Sequence, residues 1–155
     1  MDGGFPLAFF HPMTRIEFRT NIADKIGYTC RWVRKALAQG PDISIVILAE
    51  DSRQLTALDQ ALWTFSDIDF LPHAVLGAPL ASRSRVVLTD NGEADLPESQ
   101  ILVNLSKTVP ASYARFDRLL ELVSTDAVDV DAGRKRYVHY RDRGYALHHE
   151  NVNQK

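Results

Sequence analysis

The run ISIVILA at residues 43–49 is apolar at nearly every position and rich in β-branched side chains. A strand with one face in water alternates apolar and polar residues; a strand buried on both faces does not. The run therefore calls for a sheet covered by helices on both sides, the arrangement of parallel α/β proteins. Its flanks agree. Upstream, RIEF at 15–18 alternates as a brief strand, and Ile22, Ile26, Cys30, Val33 and Leu37 then recur at helical spacing. Asn21 is placed to cap that helix, with Asp24 in its first turn and Gly40 and Pro41 as its stop. Downstream, Asp51 and Gln54 form a capping box that opens a second helix carrying Leu55, Leu58 and Leu62.

The remaining chain repeats these signals more weakly. VVLT at 86–89 and ILVNL at 101–105 read as strands, separated by the turn-rich DNGEADLPES at 90–99. Pro110 begins a short helix through Phe116, and LLELV at 119–123 is a further strand. Residues 127–145 read as a helix, with Asp129 and Asp131 near its start and Arg141 and Arg143 near its end, as the helix dipole favours. The expectation is an N-terminal extension at 1–12, one α/β domain at 13–147 and a polar, frayed tail at 148–155. The domain is a single layered fold with a mostly parallel central sheet flanked by helices, Rossmann-like in topology but without a nucleotide-binding loop. A chain of 155 residues can bury roughly 70% of its unfolded surface, enough for one core.

Several chemistries are missing. No GxxxxGK(S/T) or GxGxxG cradle follows a strand, and Glu50 and Asp51 follow the 43–49 run where their charge would repel phosphate. The five histidines (His11, His73, His139, His148 and His149) fall in no HExxH pattern, and there is no GxSxG elbow. Cys30, the only cysteine, sits on an apolar helix face and reads as core in a reducing compartment. No apolar run approaches the ~20 residues of a membrane span, and the N-terminus lacks the positive region of a signal peptide. A net charge of −2 provides no global field for nucleic acid. These features read as a cytoplasmic, non-catalytic protein with no metal and no cofactor.

Two stretches carry more than the fold needs. After the Leu55, Leu58 and Leu62 helix come Trp63, Phe65, Phe70, Leu71, Pro72 and His73, more large apolar surface than a connecting loop usually bears. Such a segment is tucked under its own domain or covered by a partner. Residues 134–145, RKRYVHYRDRGY, hold a basic cluster. On a helix, Arg134, Tyr137, Val138 and Arg141 share about one third of the circumference. Arginines beside an aromatic and an aliphatic residue suit an acidic ligand with an apolar end. They also suit a single strand of nucleic acid stacked on Tyr137 or Tyr140, or simply a solvated helix whose tyrosines pack inward.

Together these stretches resemble the chi subunit family of bacterial DNA polymerase III. LDQALWTF at 58–65, followed by FLPH at 70–73, is similar to the family's most characteristic segment, and RYVHYRDRGY at 136–145 resembles its C-terminal helix. The likeness runs across roughly residues 14–147. The resemblance implies a non-catalytic clamp-loader accessory subunit active in DNA replication, in the company of a DNA-directed DNA polymerase. It implies two protein partners: the psi subunit, and the acidic, Pro-Phe-ending tail of single-stranded DNA-binding protein. Contact with nucleic acid would then be mainly indirect. Phe70 matches the aromatic that the family inserts into psi; Trp63, Phe65, Leu71, Pro72 and His73 surround it in the motif. Arg134, Tyr137 and Arg141 match tail-binding positions, and Val138 stands beside them where one branch of the family has lysine. The alternative is a module that binds single-stranded nucleic acid directly through helix 134–145.

Overall fold

The computed structural model describes residues 13–64, 73–78, 84–94, 96–97 and 100–152. Among them the chain forms β1 (Arg15–Ile22), α1 (Lys25–Leu37), β2 (Ile45–Leu48), α2 (Ser52–Thr64), β3 (Ala74–Val75) and β4 (Val86–Thr89). Then come β5 (Ile101–Asn104), a 3-10 turn (Tyr113–Arg115), β6 (Arg118–Ser124), α3 (Ala127–Asp142) and β7 (Leu147–Asn151). The strands lie side by side as β3-β4-β2-β5-β6-β1-β7, and every neighbouring pair is parallel. This is the layered α/β fold that the 43–49 run requires.

β2 shows why. It pairs with β4 on one side and β5 on the other, and all its residues are buried. Ile45 and Ile47 point to a face where they meet Cys30 and Val33 of α1 and Leu58 and Leu62 of α2. Val46 and Leu48 point to the opposite face, among Phe18, Leu102, Leu119, Tyr113 and Tyr140 of α3. Two cores, one on each side, leave no position on this strand for a polar side chain.

Element ends follow local chemistry, with instructive exceptions. Asp51 accepts from the Gln54 backbone N–H at 2.8 Å, and the Gln54 side chain reaches back to the Glu50 N–H at 2.7 Å, one residue beyond the reciprocal bond of a capping box. Asn21 does not cap α1. β1 continues through Ile22, which pairs with Ser124 and is buried, and Asp24 caps α1 by accepting from the Gly27 N–H at 3.1 Å. Ile22 lies four residues before Ile26 and so mimics a helical position, but the sheet claims it. Asn21 takes φ 63° at the irregularity where the β1–β6 register shifts, a left-handed conformation that asparagine tolerates.

At the other end α3 stops at Asp142, short of Tyr145. Gly144 adopts φ 88° and donates to the Arg141 carbonyl at 3.0 Å, a glycine-terminated helix end. The short helix expected over 110–116 is reduced to the 3-10 turn. The largest correction concerns the tail. Residues 148–151, expected to fray, join Leu147 in β7, paired in parallel with β1 from Ile16↔Leu147 to Thr20↔Asn151. LHHEN lacks an apolar alternation because β7 is an edge strand with most of its side chains in water, so nothing local advertises it.

Candidate functional site

In doubly wound α/β sheets, ligands enter at the carboxyl ends of strands where successive connections leave for opposite faces. Here β2 leads to α2 on one face, and β5 leads to the Tyr113 turn on the other. Charged side chains of the chain itself pair with one another around the crevice between them, which keeps an open volume of about 340 Å³. Lys107 Nζ meets Glu50 Oε2 at 2.6 Å, and Lys25 Nζ donates to the Leu105 carbonyl at 2.8 Å and meets Asp129 Oδ2 at 2.8 Å. Burial pushes Asp129 up, but the Lys25 bond and the Ser124 N–H bond outweigh it and hold the carboxyl below its usual range. Among the described residues, no group of three or more His, Cys, Asp or Glu is placed to hold a metal ion. The Cys30 thiol, buried and near Asp24, is pushed up to about 11 and is therefore a poor nucleophile.

The basic cluster is divided by α3. The face turned to the sheet carries Asp129, Gly133, Arg136 and Tyr140, all buried. Arg136, 2% exposed, sets its Nε 2.8 Å from Oε1 of Glu121, which is 0% exposed. The Tyr140 hydroxyl donates to Glu121 Oε2, and Asn104 Nδ2 donates to both carboxylate oxygens, at 3.0 and 3.1 Å. Arg136 and Tyr140 thus belong to a buried network that anchors the helix, and Tyr140 offers no face for a nucleic-acid base.

The outer stripe is different. Arg134 and Arg141 are exposed, Val138 is 40% exposed, and Tyr137 is half-buried with its ring 5.3 Å from that of Phe18. The four residues share a face, as their spacing requires. Beneath Arg134 and Tyr137 opens a cavity of about 270 Å³ whose other walls are Phe18 and Thr20 of β1, Val123 of β6, Val130 and Gly133 of α3, and His149 of β7. His149 is held by a 2.6 Å contact between its Nε2 and Thr20 Oγ1. Gly133 brings α3 close to the sheet: a Cβ there would lie 2.8 Å from Val123 Cγ2. The chemistry is an apolar recess with one guanidinium at its rim. Arg141 continues the stripe one turn further along, paired with Asp142 at 3.3 Å, and neither it nor Val138 lines the cavity.

Sequence reasoning found Arg134 and Tyr137 but missed Phe18, Thr20, Val123, Val130, Gly133 and His149. Val130 was legible in principle, four residues before Arg134 and seven before Tyr137 on the same helix. The β1, β6 and β7 residues arrive through strand pairing, Phe18 opposite His149, which no local pattern contains.

The aromatic segment is only partly within the described residues; Phe65, Phe70, Leu71 and Pro72 lie outside them. Trp63, at the end of α2, is 47% exposed. His73 is buried against α2, its Nε2 2.7 Å from Asp59 Oδ1 and its ring 4.5 Å from that of Trp63. His73 therefore pins the returning chain to the helix, while Trp63 presents surface. α2, which carries Trp63, and α3, which carries Arg134 and Tyr137, lie on opposite faces of the sheet.

The model of the family described as DNA polymerase III chi subunit, HolC, matches residues 13–148. The chain belongs to the DNA polymerase III chi subunit family. Among curated relatives of this chi-family chain is the DNA polymerase III subunit chi of Pseudomonas aeruginosa, 28% identical over 139 residues. That match covers 87% of this chain and 94% of the relative. The DNA polymerase III subunit chi of Haemophilus influenzae is 26% identical over 108 residues, 70% of this chain and 75% of its own length. The family places the chain in a replicative accessory role within a polymerase complex. No helix among the described residues is long and apolar enough to cross a membrane.

Proposed function

We propose that this chi-family chain is a non-catalytic adaptor with two docking surfaces. One, around Trp63 and the segment through Phe70 to His73, receives the psi subunit. The other, the α3 cavity, receives the acidic, Pro-Phe-ending tail of single-stranded DNA-binding protein. The observation that carries the second assignment is the recess walled by Phe18, Val123, Val130 and Tyr137 with Arg134 at its rim. A terminal phenyl ring fills such a recess while the adjoining carboxylates meet guanidinium groups, a charge-assisted contact with geometric specificity. Direct nucleic-acid binding by helix 134–145 loses support because Arg136 and Tyr140 are buried.

Calorimetric titration with a peptide of the tail tests the assignment. Arg134→Ala should weaken binding by about 1.5–3 kcal/mol, the range for a hydrogen bond to a charged group. Arg141→Ala, two turns further along the helix and outside the cavity lining, should cost less. Unchanged affinity in Arg134→Ala would remove the peptide from this cavity. For the other surface, Phe70→Ala should leave the domain folded and weaken psi capture; loss of the fold would return that segment to the core.

A further inference from the structure

A second cluster of positive charge lies on the face of the sheet opposite α3. β1 and β7 turn charged side chains toward this face, Arg15, Glu17 and Arg19 from one and His148 and Glu150 from the other, beside Arg118 of β6. Glu17 is shared by three arginines: Arg118 Nη2 at 2.9 Å, Arg19 Nη2 at 3.2 Å and Arg15 Nε at 3.2 Å. Burial pushes Glu17 up, but the hydrogen bond and charge of Arg118, with the charges of Arg19 and Arg15, leave it below its usual range. One carboxylate cannot neutralise three guanidinium groups, and the remaining acid, Glu150, is exposed and 3.6 Å from Arg19.

α1 supplies the facing wall. Tyr28, Arg31, Trp32 and Lys35 fall on one stripe of the helix, with Arg31 and Lys35 exposed. Together with Arg19 and Arg118 they enclose a groove of about 430 Å³ floored by Ala36, Ile43 and Ile101. Arg118 lies 5.5 Å from the centre of the Trp32 ring, and Arg19 donates to the Tyr28 hydroxyl at 2.8 Å, so each aromatic has a cation at its side. Across the groove and the adjoining cluster on β1 and β7, five Arg and Lys side chains stand against two carboxylates, on a chain whose net charge is −2.

We propose that this groove binds single-stranded nucleic acid. The phosphates run past Arg31, Lys35 and the Arg19–Arg118 pair, and a base lies against the Trp32–Tyr28 wall. Basic tracks with interleaved aromatics hold single strands by counterion release and stacking, without sequence readout. An acidic peptide without aromatic side chains would use the cations but not the two adjacent rings. None of the groove residues lines the α3 cavity, so the proposal stands apart from the adaptor reading.

The test is fluorescence anisotropy of the full chain with a labelled oligothymidylate, beside a duplex of equal length and the tail peptide. The strand should bind at low salt and weaken steeply as salt rises, and the duplex should bind more weakly. Arg31→Glu with Lys35→Glu, both on the exposed face of α1, should reduce strand affinity at least about tenfold and leave the circular dichroism spectrum and tail-peptide affinity unchanged. In a Trp63→Phe background, where Trp32 is the remaining tryptophan, the strand should quench its fluorescence. No binding at low salt, equal affinity for duplex, or loss of strand binding in Arg134→Ala but not in the α1 variant would each overturn the proposal. So would a fall in tail-peptide affinity in the α1 variant with strand affinity intact, which would give the groove to the peptide.

Discussion

Glu121 is the hub of the buried network beneath α3, and replacing it with leucine tests how that helix is held. The substitution keeps a similar volume and removes the carboxylate that receives Arg136 Nε, the Tyr140 hydroxyl and the Asn104 amide. Arg136 is then a buried cation with no counter-charge, and its Nη1 and Nη2 already lack partners among the described residues. Breaking one side of a buried ion pair costs about 3–5 kcal/mol, because the orphaned charge stays out of water. Against a typical total of about 5–15 kcal/mol, the variant should still fold at 25 °C. Its melting temperature should fall by roughly 6–20 °C, at 2–4 °C per kcal/mol for a chain of this size. Urea unfolding followed by circular dichroism gives the loss directly, with an unchanged m-value showing that the denatured state is not involved. Combining Glu121→Leu with Arg136→Met removes the charge as well as its partner, and should recover most of the loss. A single-variant cost under about 1 kcal/mol, or a double variant no more stable than the sum of its parts, would show that the ion pair does not anchor α3.

Further outcomes follow from the same contacts. Gly133→Ala sets a methyl 2.8 Å from Val123 Cγ2, on a β-branched core residue with little freedom to yield. It should destabilise the domain by about 1–3 kcal/mol in urea unfolding and weaken the tail peptide by narrowing the cavity. Asp129 has a folded-state pKa below the ordinary 3.8, so its stabilisation is fully present above that value and disappears as pH falls through the lowered one. Asp129→Asn should therefore lower the urea midpoint at pH 6–7, with the difference from the parent shrinking toward pH 3; a constant gap across that range would exclude the carboxylate's charge as its source.

Much of the fold was legible because its decisive elements are locally patterned. ISIVILA announces a two-sided strand, and the Cys30–Val33 and Leu58–Leu62 spacings announce the helix faces that cover it. The chain also displayed Arg134 and Tyr137 as neighbours on one helix stripe, which any α-helix over those residues would produce. Elsewhere local pattern misleads. Ile22 sits at helical spacing from Ile26 and yet ends a strand, where it pairs with Ser124 and is buried.

The tertiary structure alone decided the rest. β7 has no signature because an edge strand exposes most of its side chains, and its place is set by pairing with β1 more than 120 positions earlier. α3 hides Asp129, Arg136 and Tyr140 and exposes Val138, reversing the usual rule, because Glu121 and Lys25 wait on the sheet side to receive the polar groups. The cavity under Arg134 and the groove beside Trp32 are each assembled from a helix and separate strands. Periodicity along the chain records which side of each element faces inward. Which elements then meet depends on strand order and register, and those are settled by burial and hydrogen bonding across the whole sheet.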